Sequence, residues 1–234
     1  MKTKIVLSGL WAFVFMIFIL FSLTNCEKDD SPKDTTNYFT DEYYNLDDNL
    51  IPSGWQFTEV LPDVNLINGR LTAQIVDSEG YIGRDGIVPP GTTKMKFEWD
   101  GSLQNSYWGM LTQLQIDFNT NEYFTISAQL AGVNNSISNR IYILYYQGTT
   151  RSVFFEKSIV PINDNYHFIV ELLPTSIIFS ASNISYGTTY FNESSNIPAN
   201  FNFSFNNVNS IKYKVITTTD NNCWLDNISV NVIP

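Results

Sequence analysis

Apolar and polar residues alternate along most of the chain after residue 37. In Lys94-Met95-Lys96-Phe97-Glu98-Trp99-Asp100 every second side chain is apolar, which puts Met95, Phe97 and Trp99 on one strand face and the charges on the other. Met110, Leu114, Ile116 and Phe118 share a face opposite Gln113, Gln115 and Asp117. Phe124, Ile126, Ala128 and Leu130 alternate with Tyr123, Thr125, Ser127 and Gln129. Further strands are predicted at 70–76, 141–147, 152–157, 166–173, 176–182, 211–219 and 224–232. Asp63, Asn68-Gly69, Pro89-Pro90-Gly91, Asn134-Asn135, Gly148, Asn163-Asp164-Asn165, Pro174 and Asp220-Asn221-Asn222 supply the intervening turns. No segment in this region keeps a 3.6-residue apolar period, and no repeat of fixed length is visible. Many short strands with frequent turns predict an all-β sandwich or barrel, as one domain over 38–234.

The first residues follow a different pattern. Lys2 and Lys4 precede a run from Ile5 to Phe21 that is apolar apart from Ser8 and Gly9. Such a run is at the lower limit for a single membrane span and also fits a secretory signal. Leu23-Thr24-Asn25-Cys26 follows it directly and resembles the lipobox of bacterial lipoproteins, although Asn25 stands where a smaller residue is usual. The resemblance implies a signal peptide over 1–25, lipidation of Cys26, and membrane contact through that lipid anchor only. Glu27-Lys28-Asp29-Asp30 resembles the export signal of surface lipoproteins in glycan-foraging bacteria, which implies an outer-membrane, cell-surface location. The polar stretch over 26–37 reads as a flexible tether.

Composition narrows the chemistry. The 234 residues are 44% hydrophobic, 15% aromatic and only 15% charged, with a net charge of −10. Nucleic acid is an improbable partner for so acidic a chain, since binding it needs clustered Lys and Arg. One His and two Cys leave little for zinc or thiol chemistry. A lipidated Cys26 would leave Cys223 without a disulfide partner, so stability must come from the core.

Three segments narrow the fold. Ile51-Pro52-Ser53-Gly54-Trp55 followed by Asn68-Gly69-Arg70-Leu71 resembles the opening of concanavalin A-like jelly rolls. Residues 165–172 followed by Pro174 and 177–182 resemble their late hairpin, and Cys223-Trp224-Leu225-Asp226-Asn227-Ile228-Ser229-Val230 resembles their closing strand. The resemblance implies a two-sheet antiparallel jelly-roll sandwich in which the first and last strands pair. It also raises a structural calcium near those strands. Asp226 is the candidate ligand, with Asp41, Glu42, Asp47 and Asp48 as further carboxylates. The alternative is that Asp226 caps a bulge by accepting backbone N–H groups.

Jelly rolls of this kind include glycoside hydrolases. Retaining members need two carboxylates about 5–5.5 Å apart, and the Glu-x-Asp-x-x-Glu run of the laminarinase-like group is absent. Glu98 and Asp100 share one strand face, where a solvated role is the simpler expectation. His167 is expected to face solvent or bond a neighbouring strand. Neutral sugars instead need aromatic faces, amides and hydroxyls. Gln113, Gln115, Tyr123 and Thr125 offer that chemistry on two strands that would merge into one platform if adjacent, and Tyr107 and Trp108 offer a stacking pair on a loop. Trp55, Trp99 and Trp224 read as core anchors. Non-catalytic carbohydrate binding is therefore the expectation. The alternatives are a structural or adhesion subunit meeting another outer-membrane protein, or a divergent glycoside hydrolase.

Overall fold

The computed structural model describes residues 38–46, 50–74, 77–103, 111–118, 124–132, 139–159, 164–199, 201, 203–217 and 223–234. Within them the alternating segments become strands of two antiparallel sheets. One sheet runs β13 (Thr189–Asn196), β12 (Ser176–Asn183), β11 (Asp164–Leu172), β6 (Lys94–Leu103), β15 (Cys223–Ile233), β4 (Arg70–Ala73) and β3 (Val64–Ile67). Its eighth strand, β1 (Glu42–Tyr44), also pairs with β15. The other sheet runs β10 (Thr150–Ile159), β9 (Asn139–Gln147), β8 (Phe124–Gly132), β7 (Leu111–Phe118), β14 (Val208–Thr217), β5 (Ser78–Asp85) and β2 (Gln56–Leu61). The alternation called for an all-β sandwich or barrel, and the structure is the two-sheet jelly-roll sandwich that the resemblance implied.

Period-2 patterning supplies the core. Met95, Phe97 and Trp99 of β6 and Phe168, Val170 and Leu172 of β11 are buried from one sheet. Leu114, Ile116 and Phe118 of β7 and Ile211, Tyr213 and Val215 of β14 are buried from the other. Trp99 joins the two layers. It stacks on Phe168 at 4.9 Å, meets Tyr213 edge-on at 5.8 Å, and donates from Nε1 to Thr112 Oγ1 at 3.4 Å. The Tyr213 hydroxyl donates to the Ser229 carbonyl at 2.5 Å. Burial, with the Glu98 charge adding to it, holds that phenol well above its ordinary pKa, so it stays a donor.

The last strand closes the first sheet. Along one edge β15 pairs with β6; along the other it pairs first with β4 through Cys223–Leu225 and then with β1 through Ile228–Val230. The register with β6 shifts between Asp226 and Ser229, leaving Asn227 and Ile228 opposite Trp99. Asn227 takes φ +49°, and Asp226 Oδ1 accepts the N–H of Asn227 at 2.7 Å and of Leu46 at 3.2 Å. Asp226 thus caps the bulge and ties the opening segment to it.

One expectation and two omitted strands need correction. Trp224 is buried, but it lies apart from the core cluster, with the Arg70 guanidinium 3.8 Å from its ring centroid. A second correction concerns β5, which carries no apolar alternation. Its Gly80 and Gly83 sit so close to Val64 and Lys212 that a Cβ would overlap them, so backbone proximity defines this strand. Edge strand β13 is polar apart from Tyr190 and Phe191, and only Phe191 is buried from it.

Because Trp99 fills the space between the sheets, Trp99→Ala is expected to cost about 3–5 kcal/mol. Urea unfolding followed by intrinsic fluorescence measures it; a loss under about 1 kcal/mol would contradict this packing.

Candidate functional site

The outer face of the seven-stranded sheet carries the polar rows that alternate with the core. β7 and β8 are neighbours, with Gln113 opposite Gln129, Gln115 opposite Ser127 and Asp117 opposite Thr125. The next pairings place Tyr146 of β9 beside Thr125 and Arg151 of β10 beside Tyr146. On the other side, Lys212 and Lys214 of β14 stand beside Gln115 and Gln113. Four strand spacings separate β14 from β10, roughly 19 Å across. A groove of about 450 Å³ lies on this face, lined by Gln113, Gln115, Thr125, Tyr146, Gly148, Arg151, Lys214, Ile216 and Glu79.

One buried carboxylate organises the groove floor. Asp117 is 2% exposed and receives four donors: Thr125 Oγ1 at 2.7 Å and Gln115 Nε2 at 2.9 Å on Oδ1, Ser210 Oγ at 2.9 Å and Lys212 Nζ at 2.5 Å on Oδ2. Gln113 Nε2 donates in turn to Gln115 Oε1 at 3.5 Å. Burial alone would push Asp117 towards its neutral form, but the bonds from Lys212, Thr125 and Gln115 outweigh it and lower its pKa. The amides are held in fixed rotamers by this relay, so their remaining donor and acceptor positions are preorganised. On the far wall Lys214 Nζ pairs with Glu79 Oε1 at 2.5 Å.

Gln113, Gln115 and Thr125 therefore come together as the alternation required. Tyr107, Trp108 and Tyr123 lie outside the described residues, as do Cys26, the segment over 26–37, Asp47 and Asp48. Sequence reasoning missed Tyr146, Arg151, Lys214 and Glu79 as groove residues. Lys214 and Tyr146 occupy outward positions on predicted strands and could have been found by register, whereas Arg151 lies just before the strand predicted at 152–157 and joins β10 only in the structure. Glu79 could not, because β5 gives no periodic signal.

The carboxylates considered for hydrolysis lie elsewhere, on the outer face of the eight-stranded sheet. Glu98 and Asp100 are part-buried and heavily engaged, so the solvated face expected for them does not form. His167 Nδ1 lies 2.8 Å from Asp100 Oδ1, and its Nε2 lies 3.4 Å from Glu98 Oε1. Asn227 Nδ2 donates to Asp100 Oδ2 at 2.8 Å, Ser229 Oγ to Glu98 Oε2 at 3.2 Å, and Lys96 Nζ lies 2.7 Å from Glu98 Oε1. His167 bonds a neighbouring strand, as one of the two expectations had it. The Asp100 hydrogen bond raises its pKa against the opposing effect of burial, and the charges of Asp100 and Glu98 add to the rise. Burial disfavours the Glu98 charge, but Lys96 and His167 together lower its pKa.

The residues named for calcium are described in part. A calcium site needs 6–8 oxygens. Here Asp226 Oδ1 already accepts two backbone N–H groups, and Glu42 pairs with Arg84 while accepting from Trp55 Nε1. Among the described residues no group of three or more His, Cys, Asp or Glu side chains is arranged to hold a metal ion. Asp47 and Asp48, two of the carboxylates named for calcium, lie outside the described residues, so a structural calcium stays a proposal.

No protein-family model matches the chain, and no curated protein matches its sequence. Solved structures do. The CBM2 module of Lactobacillus casei BL23 phage J-1 evolved Dit is 13% identical, with TM-score 0.57, covering 83% of this chain and 98% of its own. The potassium-bound carbohydrate recognition domain of Emp46p is 10% identical, with TM-score 0.58 and coverage of 80% and 94%. The exoplasmic/lumenal domain of VIP36 in its Ca2+/Man2-bound form is 7% identical, with TM-score 0.57 and coverage of 81% and 86%. At such identities the likeness is one of fold, and the shared fold is the lectin-like jelly-roll sandwich.

The two polar networks should titrate in opposite senses. Asp117 has a lowered folded pKa, so its contribution is complete above the unfolded value of about 3.9 and is lost as pH falls through the folded value. Asp117→Asn should therefore lower stability at pH 7 and flatten the acid limb of a urea-midpoint profile below about pH 4. His167 has a raised folded pKa, so its contribution is complete below about 6.5 and fades as pH rises through the folded value. His167→Gln should remove that decline above about pH 6.5, as read from the same urea midpoints. Unchanged profiles in the two variants would contradict both networks.

Proposed function

We propose that this protein is a cell-surface lipoprotein that binds carbohydrate without cleaving it, in the groove on its seven-stranded sheet. The observation that carries the reading is the convergence of Gln113, Gln115, Thr125 and Tyr146 on one concave face. Amide and hydroxyl groups hydrogen-bond sugar hydroxyls, and a tyrosine ring packs under sugar C–H surfaces. The Asp117 relay fixes these groups before any ligand arrives, which lowers the ordering cost of binding. Tyr107, Trp108 and Tyr123 stand close to β7 and β8 in sequence.

Two further observations support the reading. The similar folds include a domain whose name states carbohydrate recognition, that of Emp46p, and another, that of VIP36, solved in a Ca2+/Man2-bound form. Glu98 and Asp100, the carboxylate pair considered for hydrolysis, lie on the other sheet and are engaged by His167, Asn227, Ser229 and Lys96. Anchoring rests on the sequence around Cys26, where a multiply acylated cysteine holds a protein firmly, each buried CH₂ contributing about 0.8 kcal/mol.

Glycan-array screening of the full-length protein in detergent should give binding to at least one plant, algal or host glycan. Gln113→Ala with Tyr146→Ala should weaken it roughly tenfold or more, the loss of one well-made polar contact and one ring contact. Silence across the array would overturn carbohydrate binding. For the anchor, Cys26→Ser should move the protein from the membrane fraction to the soluble fraction; retention in the membrane would overturn lipidation at Cys26.

A further inference from the structure

The groove's cations differ in how they are satisfied. Lys214 is paired with Glu79 and Lys212 with Asp117. Elsewhere Arg84 pairs with Glu42, Lys94 with Glu171, Lys96 with Glu98, Arg140 with Glu156 and Lys157 with Glu193. Among the described residues, only Arg70 and Arg151 make no ion pair with a carboxylate. Arg70 is accounted for by its close stack on Trp224, 3.8 Å from the ring centroid. Arg151 is exposed, lines the groove, and stands 5.8 Å from the Tyr142 ring centroid, near the outer limit of a cation–π contact.

Position sharpens the contrast. Arg151 ends the cross-strand row Asp117–Thr125–Tyr146–Arg151, so a guanidinium closes the line of groups offered to a sugar. A guanidinium beside an aromatic ring keeps its in-plane N–H donors for a second partner, and their fork matches the two oxygens of a carboxylate. The groove's lining side chains carry Arg151, Lys214 and Glu79, which sum to a net positive charge on a chain whose total is −10. An acidic protein that leaves a positive end on this polar groove is arranged to select an anionic group locally.

We propose that the groove takes an acidic glycan, a chain of uronic-acid type whose sugar carboxylate is received by Arg151 while Gln113, Gln115, Thr125 and Tyr146 hold the neutral ring positions. This rests on the carbohydrate-binding reading of the same groove and names the ligand class within it. The width of roughly four strand spacings between β14 and β10 suits an oligosaccharide better than a single ring. Because the protein as a whole is acidic, the attraction is short-ranged and belongs to the contact rather than to long-range steering.

Isothermal titration of the full-length protein in detergent tests this with paired probes. Oligogalacturonate, oligoguluronate and hyaluronan oligosaccharides would each be compared with their carboxyl-reduced neutral counterparts. At least one acidic probe should bind roughly tenfold or more tightly than its reduced form, as a charge-assisted bidentate contact implies. Arg151→Gln should erase that preference, bringing the acidic and reduced forms to within about twofold of each other. Gln113→Ala should weaken both forms alike and leave their ratio intact. Neutral probes binding as tightly as acidic ones, or an acidic preference that survives Arg151→Gln, would overturn the proposal and leave the groove reading standing. No binding by any probe, acidic or neutral, together with a silent array would overturn both. Far-ultraviolet circular dichroism of each variant confirms that a lost preference is not a lost fold.

Discussion

The pairing of the last strand holds this sandwich together. β15 is the only strand of its sheet that spends one whole edge on β6 and divides the other between β4 and β1. A sheet edge exposes unpaired N–H and C=O groups, and a sandwich assembled from many short strands has several such edges to protect. Here the C-terminal residues protect the N-terminal ones. The division needs a change of direction, and the Asp226–Asn227 bulge provides it: an asparagine in the left-handed region, with a carboxylate satisfying the amides that the kink frees. Trp99 packs at the same level from β6, so the kink and the core depend on each other.

On the opposite sheet the organising element is a buried charge. Asp117 would be costly in isolation, and four donors from three strands are what make it tolerable. The same bonds draw β7, β8 and β14 together and point the glutamine amides of β7 along one row. A structural requirement and a recognition surface are thus met by one set of side chains. The polar cluster of Glu98, Asp100, His167 and Asn227 shows the contrast. It binds β6, β11 and β15 together, and its donors and acceptors are spent on one another.

Much of this was legible in the sequence, because a half-buried strand writes its orientation in every second residue. Met95, Phe97 and Trp99 gave the core face of β6, and Gln113, Gln115 and Asp117 the outer face of β7. The merging of the β7 and β8 rows needed only that the two strands be neighbours, which a hairpin makes simple. What stayed hidden depended on partners distant along the chain. β5 is a strand because Gly80 and Gly83 let other backbones and side chains come close, a property that no periodicity expresses. Trp224 looked like a core residue because Leu225 and Ile228 flank it, and its cover turned out to be Arg70, some 150 residues earlier. Glu79 enters the groove only through β5. The satisfied state of each cation, which singles out Arg151, exists only in three dimensions.

The position of β15 at the end of the chain also governs how the fold can be completed. Glu42 meets Val230, and Tyr43 meets Ser229, across nearly the whole length of the folded region. Such pairings close the longest loops available, and the entropy of closing them must be met before the contact stabilises anything. A polypeptide emerging N-terminus first, from a ribosome or through a membrane pore, therefore carries β1, β4 and β6 without their shared partner until its final dozen residues appear. The seven-stranded sheet already has all its described strands at that stage, whereas the eight-stranded one lacks its centre. Any route that delivers this protein has to shield open strand edges for nearly the full duration of emergence, and a truncation of the last few residues would leave them open for good.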